Sequence, residues 1–349
     1  MGRAGTRPRP VVAPIRHRGG WRHQALPPTD YQLESRNSMK IAVMGAGGVG
    51  GYFGGLLARA GHSVTFIARG PHLAAIQKCG LCVESTLDGT FTVRCQAVED
   101  ATGAGTADLV LFTVKMYHNA QAIEAIRPIV GRQTVVLTLQ NGIDNGEQLA
   151  QAFGTSRVMI GSAYLEGRIK EPGVVTQGGP GIAGFGELEP GITPRGQGLL
   201  HIFREAGWRV DLHENMPGML WKKFAYIAGS AAVCAAANCV YEEMRSIPET
   251  RALIKGAVEE VLAIGRARGA PIMDDSLEWA MNSLDRFPAQ GRASLAKDFL
   301  AGNRVELEGL TGAVVRMGRE LAVPTPINDA LYAILKPWAV RIESQLAGG

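Results

Sequence analysis

Six positions, Gly45-Ala46-Gly47-Gly48-Val49-Gly50, follow directly on the apolar run Lys40-Ile41-Ala42-Val43-Met44. A Gly-x-Gly-x-x-Gly turn leaving a strand offers bare backbone amides and a helix start to an anion. Each glycine has a physical task. Gly45 permits the tight turn, Gly47 lets phosphates approach the backbone, and Gly50 lets the next helix lie close to the strand. The helix end adds unpaired N–H groups and a partial positive charge. The run YFGGLLARAGH continues as a helix that stops near Gly61, and Ser63-Val64-Thr65-Phe66-Ile67-Ala68 follows as a second strand. This βαβ spacing makes the turn a dinucleotide pyrophosphate site, with Gly45, Ala46, Gly47, Gly48, Val49 and Gly50 as its expected cofactor-binding residues.

The end of the second strand indicates which nicotinamide cofactor is used. Binders of NAD place Asp or Glu there, accepting from the ribose 2′-hydroxyl. This strand instead ends Ile67-Ala68-Arg69-Gly70. A carboxylate would repel a 2′-phosphate, whereas a guanidinium pairs with it in bidentate fashion. Arg69 therefore predicts NADPH. The plainer alternative is a solvated arginine opening the helix that Pro71 starts.

The elements that position this chemistry alternate strand and helix through the first half, as a doubly wound parallel sheet requires. Asp108 to Val114 is a continuous apolar strand leading to Lys115, and Thr134 to Leu139 is another, leading to Gln140-Asn141-Gly142. Ligands bind beyond the carboxyl ends of such strands, so Lys115 and Asn141 stand where cofactor and substrate should meet. Residues 173 to 187 read as an antiparallel addition. From Pro217 the pattern turns helical: MLWKKFAYIAGSAAVCAAA, then ETRALIKGAVEEVLAIGRARG, then an amphipathic stretch from Ser294 to Leu321. The expected fold class is α/β, an N-terminal Rossmann-type doubly wound parallel sheet followed by an all-helical C-terminal domain. The expected division is a tail at 1–38, an NADP-binding domain at 39–213 and a helical substrate and catalytic domain at 214–349. The cleft between the two domains is the expected site.

With 349 residues and 46% hydrophobic content the chain can bury a large core. No apolar run is long enough to span a bilayer, so no membrane association is expected. Residues 1–38 hold seven arginines and two acids, a net +5, which leaves the rest of the chain at −1. The basic balance belongs to the tail and gives no case for nucleic acid. The tail is Arg-rich and acid-poor like some transit peptides, but it has no clear amphipathic helix and no apolar signal region. A disordered extension, or a natural start at Met39, is the favoured account. Five scattered cysteines (Cys79, Cys82, Cys95, Cys234, Cys239) suit reduced thiols and the cytoplasm. Cys79-x-x-Cys82 lacks a second half, so no metal site is expected.

With these pieces placed, the chain resembles the ketopantoate reductase (2-dehydropantoate 2-reductase) family over about residues 39 to 337. The matching marks are the Gly45–Gly50 turn, Arg69, Thr113-Val114-Lys115, Gln140-Asn141-Gly142, Trp221-Lys222-Lys223, and Ser294 through Glu306. The resemblance implies NADPH-dependent reduction of the 2-ketone of ketopantoate to pantoate, on the route to coenzyme A. It implies Lys223 as the catalytic lysine, a role that suits an ammonium protonating the oxygen of a ketone under reduction. Lys222 points about 100° away on the helix and is expected to be solvated. The resemblance further implies Glu306 beside the nicotinamide and Lys223, orienting the ammonium or binding a hydroxyl. It implies Ser294 on the substrate carboxylate, where the plainer reading is an N-cap or turn hydroxyl. Lys115 and Asn141 match cofactor-contacting positions, with Asn141 also expected at the substrate.

The chain departs from the family pattern on the catalytic helix. Asparagines usual four and eight residues after the lysine are here Ile227 and Ala231, and a further one is Tyr241. A site without those amides cannot hydrogen-bond the same hydroxyl and ketone in the same way. The alternatives are therefore a more apolar 2-oxo acid, or a 3-hydroxy acid, on the same scaffold. A non-catalytic NADP-binding sensor is the third, against which both Lys223 and Glu306 argue. The oligomeric state is left open, a homodimer included.

Overall fold

The computed structural model describes residues 38–348. The expectations for the tail fall, up to residue 37, outside the described residues. β1 (Lys40–Met44), α1 (Gly48–Arg59) and β2 (Ser63–Ile67) form the βαβ unit, and Gly61 at φ +95° follows the end of α1. Next come α2 (Gly70–Cys79), the hairpin of β3 (Leu81–Ser85) and β4 (Gly89–Val93), and β5 (Gln96–Val98). β6 (Leu109–Phe112), α3 (Asn119–Ile126), β7 (Val135–Thr138) and α4 (Asn145–Phe153) continue the alternation. Two long strands, β8 (Val158–Glu171) and β9 (Val174–Glu187), pair antiparallel, and α5 (Pro194–Glu205) and β10 (Arg209–Leu212) close this half.

The sheet runs β4-β3-β9-β8-β7-β6-β1-β2-β5, with β10 beside β9. From β8 to β5 every pair is parallel. β2 and β5 lie on one side of β1; β6, β7 and β8 lie on the other, and the β3–β4 hairpin stands at the far edge beside β9. The strand order therefore reverses between β1 and β6, and a crevice opens at their carboxyl ends. Both faces are covered, so these strands are apolar throughout. Ile41, Val43, Leu109 and Leu111 pack with α1 and α5 residues. The alternate residues Ala42, Val110 and Phe112 pack with Ile123 and Ile126 of α3 and Leu149 of α4.

After β10 every described element is a helix. They are α6 (Met216–Ala237), α7 (Tyr241–Ser246), α8 (Pro248–Ala267), α9 (Ser276–Arg286), α10 (Ser294–Leu300), α11 (Thr311–Glu320) and α12 (Pro326–Gly348). The side chain of Asn215 caps α6 by accepting from Gly218 N–H at 2.9 Å, and Pro217 fits the first turn. Small residues bring α6 and α8 together. A Cβ on Gly229 would lie 3.2 Å from Val258 N, and one on Gly265 would meet the Trp221 ring at 2.9 Å. The stretch expected as one amphipathic run from Ser294 to Leu321 is instead two helices. Gly302, at φ +66°, ends α10, and the chain is non-helical through Glu306.

The glycine turn is tied down from two sides. Gly45 N–H donates to Ile67 O at 3.3 Å, and Thr113 Oγ1 donates to Gly45 O at 2.9 Å. Gly50 has no room for a side chain, because a Cβ would overlap Gly45 O and Thr113 Oγ1 and approach Val43 at 2.9 Å. Gly47 differs: a Cβ there would meet nothing within 4 Å. Gly50→Ala is expected to cost about 1 to 3 kcal/mol in chemical unfolding and to weaken dinucleotide binding. Unchanged stability would contradict this packing.

Candidate functional site

The turn after β1 lies on a buried imidazole that sequence reasoning missed. His72, from α2, donates from Nε2 to Ala46 O at 2.8 Å and accepts at Nδ1 from Gly173 N–H at 3.0 Å. Those two partners fix the neutral tautomer. Burial holds His72 below its ordinary value, with the Ala46 bond opposing. Nothing local in the sequence marks it, because Gly173 lies on a distant hairpin.

Arg69 is exposed and sits immediately before α2. Its Nη2 lies 3.2 Å from His118 Nε2, and Nη1 donates to Gln121 Oε1 at 3.5 Å. Arg304 adds a third basic group, its guanidinium 4.4 Å from the Tyr117 ring centroid. His118 is held down by burial and by the charges of Arg69 and Arg304. These side chains form a basic cluster beyond β2 and β6, fitted to an anion.

Lys115 and Glu306, predicted from distant parts of the chain, do meet. Lys115 Nζ lies 3.1 Å from Glu306 Oε2 and 3.2 Å from Asp298 Oδ2. Burial would lower the Lys115 ammonium, but the two carboxylates outweigh it and push it up. The other oxygen of Glu306 accepts from Met116 N–H at 2.9 Å. Met116 fills the space between Gly142 and Gly309, whose Cβ positions would overlap its side chain. The strand end after β6 is thus clamped to the segment between α10 and α11.

In the structure the partners of Glu306 are Lys115 and Met116, and it makes no bond to Lys223 among the described residues. Lys223 reaches β8, two strands away from β6 in the sheet. Its Nζ donates to Ala163 O at 2.7 Å and lies 4.5 Å from the centroid of the Tyr164 ring. The residue is 6% exposed. With no carboxylate beside it among the described residues, burial alone pushes the amine down to about 7.

Lys222 also departs from expectation. It is buried rather than solvated, its Nζ 2.6 Å from Asp275 Oδ2 and 5.5 Å from the Trp279 ring centroid. The helical offset does separate the two lysines. One goes to α9 and its N-terminal flank, the other to the sheet.

Asn141 is half-buried, and its carbonyl accepts from Asn145 Nδ2 at 2.7 Å. Beneath it lies a network of neutral polar groups. Gln140 Nε2 donates to Val114 O at 2.6 Å and to Asn119 Oδ1 at 2.8 Å, and Asn119 Nδ2 donates to Asn145 Oδ1 at 2.8 Å. This network locks the ends of β6 and β7 together; Gln140 was marked only by resemblance, and Asn119 was missed because its burial is set by the sheet. Ser294 is the exposed first residue of α10. It is not an N-cap, since Ala293 holds that place. Arg292 and Lys297 flank it, engaged with Asn238 and Glu166 at 3.1 and 3.2 Å. Ile227 packs on the helical core, and Ala231 and Tyr241 lie within it.

Comparison with known proteins gives consistent matches. The family described as Ketopantoate reductase PanE/ApbA matches residues 41–190, and that described as Ketopantoate reductase PanE/ApbA C terminal matches residues 215–339. A 2-dehydropantoate 2-reductase from Pyrococcus horikoshii is 30% identical over 302 residues, which cover 85% of this chain and 97% of the relative. A solved PanE/ApbA family ketopantoate reductase from Ralstonia eutropha JMP134 has a TM-score of 0.80 at 33% identity, covering 87% of this chain and 100% of that one. The 2-dehydropantoate 2-reductase from Geobacter metallireducens GS-15 gives 0.78 at 31% identity, with 85% and 99% covered.

The Glu306 clamp yields a prediction. Glu306→Gln keeps an acceptor for Met116 N–H, whereas Glu306→Ala leaves that N–H without one. Urea unfolding should show losses of about 1 kcal/mol for Gln and about 2 to 3 kcal/mol for Ala. Equal losses would remove the Met116 bond from the account.

Proposed function

The chain belongs to the ketopantoate reductase family, and we propose that it reduces the ketone of a 2-oxo acid with NADPH, 2-dehydropantoate being the first candidate. In this reading residues 39–213 carry the cofactor and residues 214–349 supply the proton donor. The observation that carries it is Lys223, an amine buried among neutral groups at the carboxyl side of the sheet.

The residues present suit the cofactor. The first-turn amides of α1 and the open space at Gly47 suit a pyrophosphate, and the Arg69 and His118 cluster suits a 2′-phosphate. Lys115 and Asn141 lie past β6 and β7, on the same side. NADPH, when bound there, supplies the hydride.

This chain's own residues then handle charge and proton. A substrate ketone oxygen that takes the place of Ala163 O receives the hydrogen bond from Lys223 Nζ. The ammonium stabilises negative charge growing on that oxygen and delivers its proton. Burial favours the neutral amine that remains, so giving up the proton is easy. Tyr164 holds the ammonium in place from one face. Ser294, with Arg292 and Lys297 on either side, suits the substrate carboxylate. Glu306 acts through Lys115 and the Met116 backbone, as a positioning residue.

A second reading keeps the reaction and changes the acid. Ile227 and Ala231 are part of, or packed on, the apolar core of the helical region, which favours a more apolar 2-oxo acid. A panel of 2-oxo acids tested for NADPH oxidation separates the two. Tight NADPH binding without turnover on any of them would favour a sensor.

Four outcomes are expected. Lys223→Ala should lower kcat by about 100- to 10,000-fold. Lys222→Met should keep most activity, and the reverse pattern would move the donor to Lys222. Since the donor must be protonated, kcat/KM for reduction should fall as pH rises through about 7. A flat profile up to pH 9 would contradict a depressed amine. Arg69→Ala should raise KM for NADPH about 10- to 100-fold while leaving KM for NADH nearly unchanged. Parallel changes for both would take the 2′-phosphate away from Arg69.

A further inference from the structure

Helix α6 ends at a cap built on two cysteines. Asn238 is left-handed at φ +49°, Asn238 N–H donates to Ala235 O at 3.3 Å, and Cys239 N–H donates to Cys234 O at 3.2 Å. This is a Schellman cap, in which an apolar contact ordinarily joins the residues at the positions of Cys234 and Cys239. Here both members of that contact are thiols. Cys234 Sγ donates to Cys239 O at 3.1 Å and accepts from Ala293 N–H at 3.4 Å. Cys234 is fully buried and Cys239 is 8% exposed, while the adjoining Ala237 and Asn238 are exposed. The cap therefore sits at the surface edge of the helical core.

We propose that Cys234 and Cys239 form a reversible disulfide across the end of the catalytic helix, a modification site for hydroperoxides. The 6→1 hydrogen bond already folds the two backbones toward each other, as a short-loop disulfide needs. The thiols also differ in character. Cys234 is held below the ordinary thiol value by its neighbour Cys239, by the Ala293 N–H and by the charges of Arg292 and Lys297, against burial; Cys239 is raised. Cys234 is thus the sulfur of the two that reaches the thiolate form first.

The chemistry balances with a hydroperoxide as oxidant. The thiolate of the pair attacks a peroxide oxygen, so a sulfur–oxygen bond forms as the oxygen–oxygen bond breaks. For hydrogen peroxide the departing oxygen leaves as water after taking a proton. The second sulfur then attacks the first, the sulfur–oxygen bond breaks, and a second water carries away the remaining thiol proton. Two thiols lose two electrons and the peroxide gains them. Formation of the bond takes the acceptor of Ala293 N–H into a disulfide and so alters the segment that leads to Ser294. The proposal does not depend on which acid the protein reduces.

Trypsin cleavage after Lys223 and Arg245 places both cysteines in one peptide, residues 224–245. The full-length native protein would be treated with hydrogen peroxide, quenched, alkylated in denaturant and digested. The expected result is that this peptide loses two hydrogens and escapes alkylation at both sites, and that dithiothreitol restores both alkylations. Full alkylation of Cys234 and Cys239, at a peroxide dose that oxidises the exposed Cys79, would overturn the proposal. Oxygen addition to either cysteine without linkage would overturn it as well.

Discussion

A lysine amine enclosed by neutral groups sets the terms for the rest of this molecule. Lys223 has a carbonyl and an aromatic face around it and, among the described residues, no carboxylate. Burial on those terms disfavours the charged form. The fold maintains that enclosure by pressing α6 between the sheet and the other helices. Gly229 and Gly265 let α8 close on it, and Trp221 fills the space beside Gly265. A carboxylate brought to Lys223 would offset that burial and raise the amine again.

The acidic residue expected to serve Lys223 serves another lysine instead. Glu306 neutralises Lys115 and receives Met116 N–H. The consequence is a division of labour between two ion systems. One, at Lys115, Glu306 and Asp298, fixes the end of β6 against the α10–α11 connection. The other, at Lys222 and Asp275, fixes α6 against the start of α9. Lys223 belongs to neither: its bond goes to Ala163 O, and burial alone sets its character.

The sequence made the βαβ unit legible because its signals are local: a strand, three spaced glycines and an arginine within about thirty residues. The lysine pair was legible as a pair, and helical geometry separated their directions. Their surroundings were not, since Asp275 and Ala163 come from distant elements. Glu306 was legible by resemblance, but its partner Lys115 lies 191 residues away. The break at Gly302 was hidden because apolar spacing on both sides of a glycine imitates one continuous helix. His72 and Asn119 were hidden for a related reason. Their importance lies in which backbone groups the sheet delivers to them.

The most direct measurement of the central claim is an NMR titration of the Lys223 side chain. Lysine-labelled protein would be followed between pH 5 and 11 at the Cε carbon, with Lys223→Arg providing the assignment. The account predicts one resonance titrating near 7, well below the others, which is lost in the variant. A Lys223 midpoint near the ordinary lysine value of about 10.4 would contradict it.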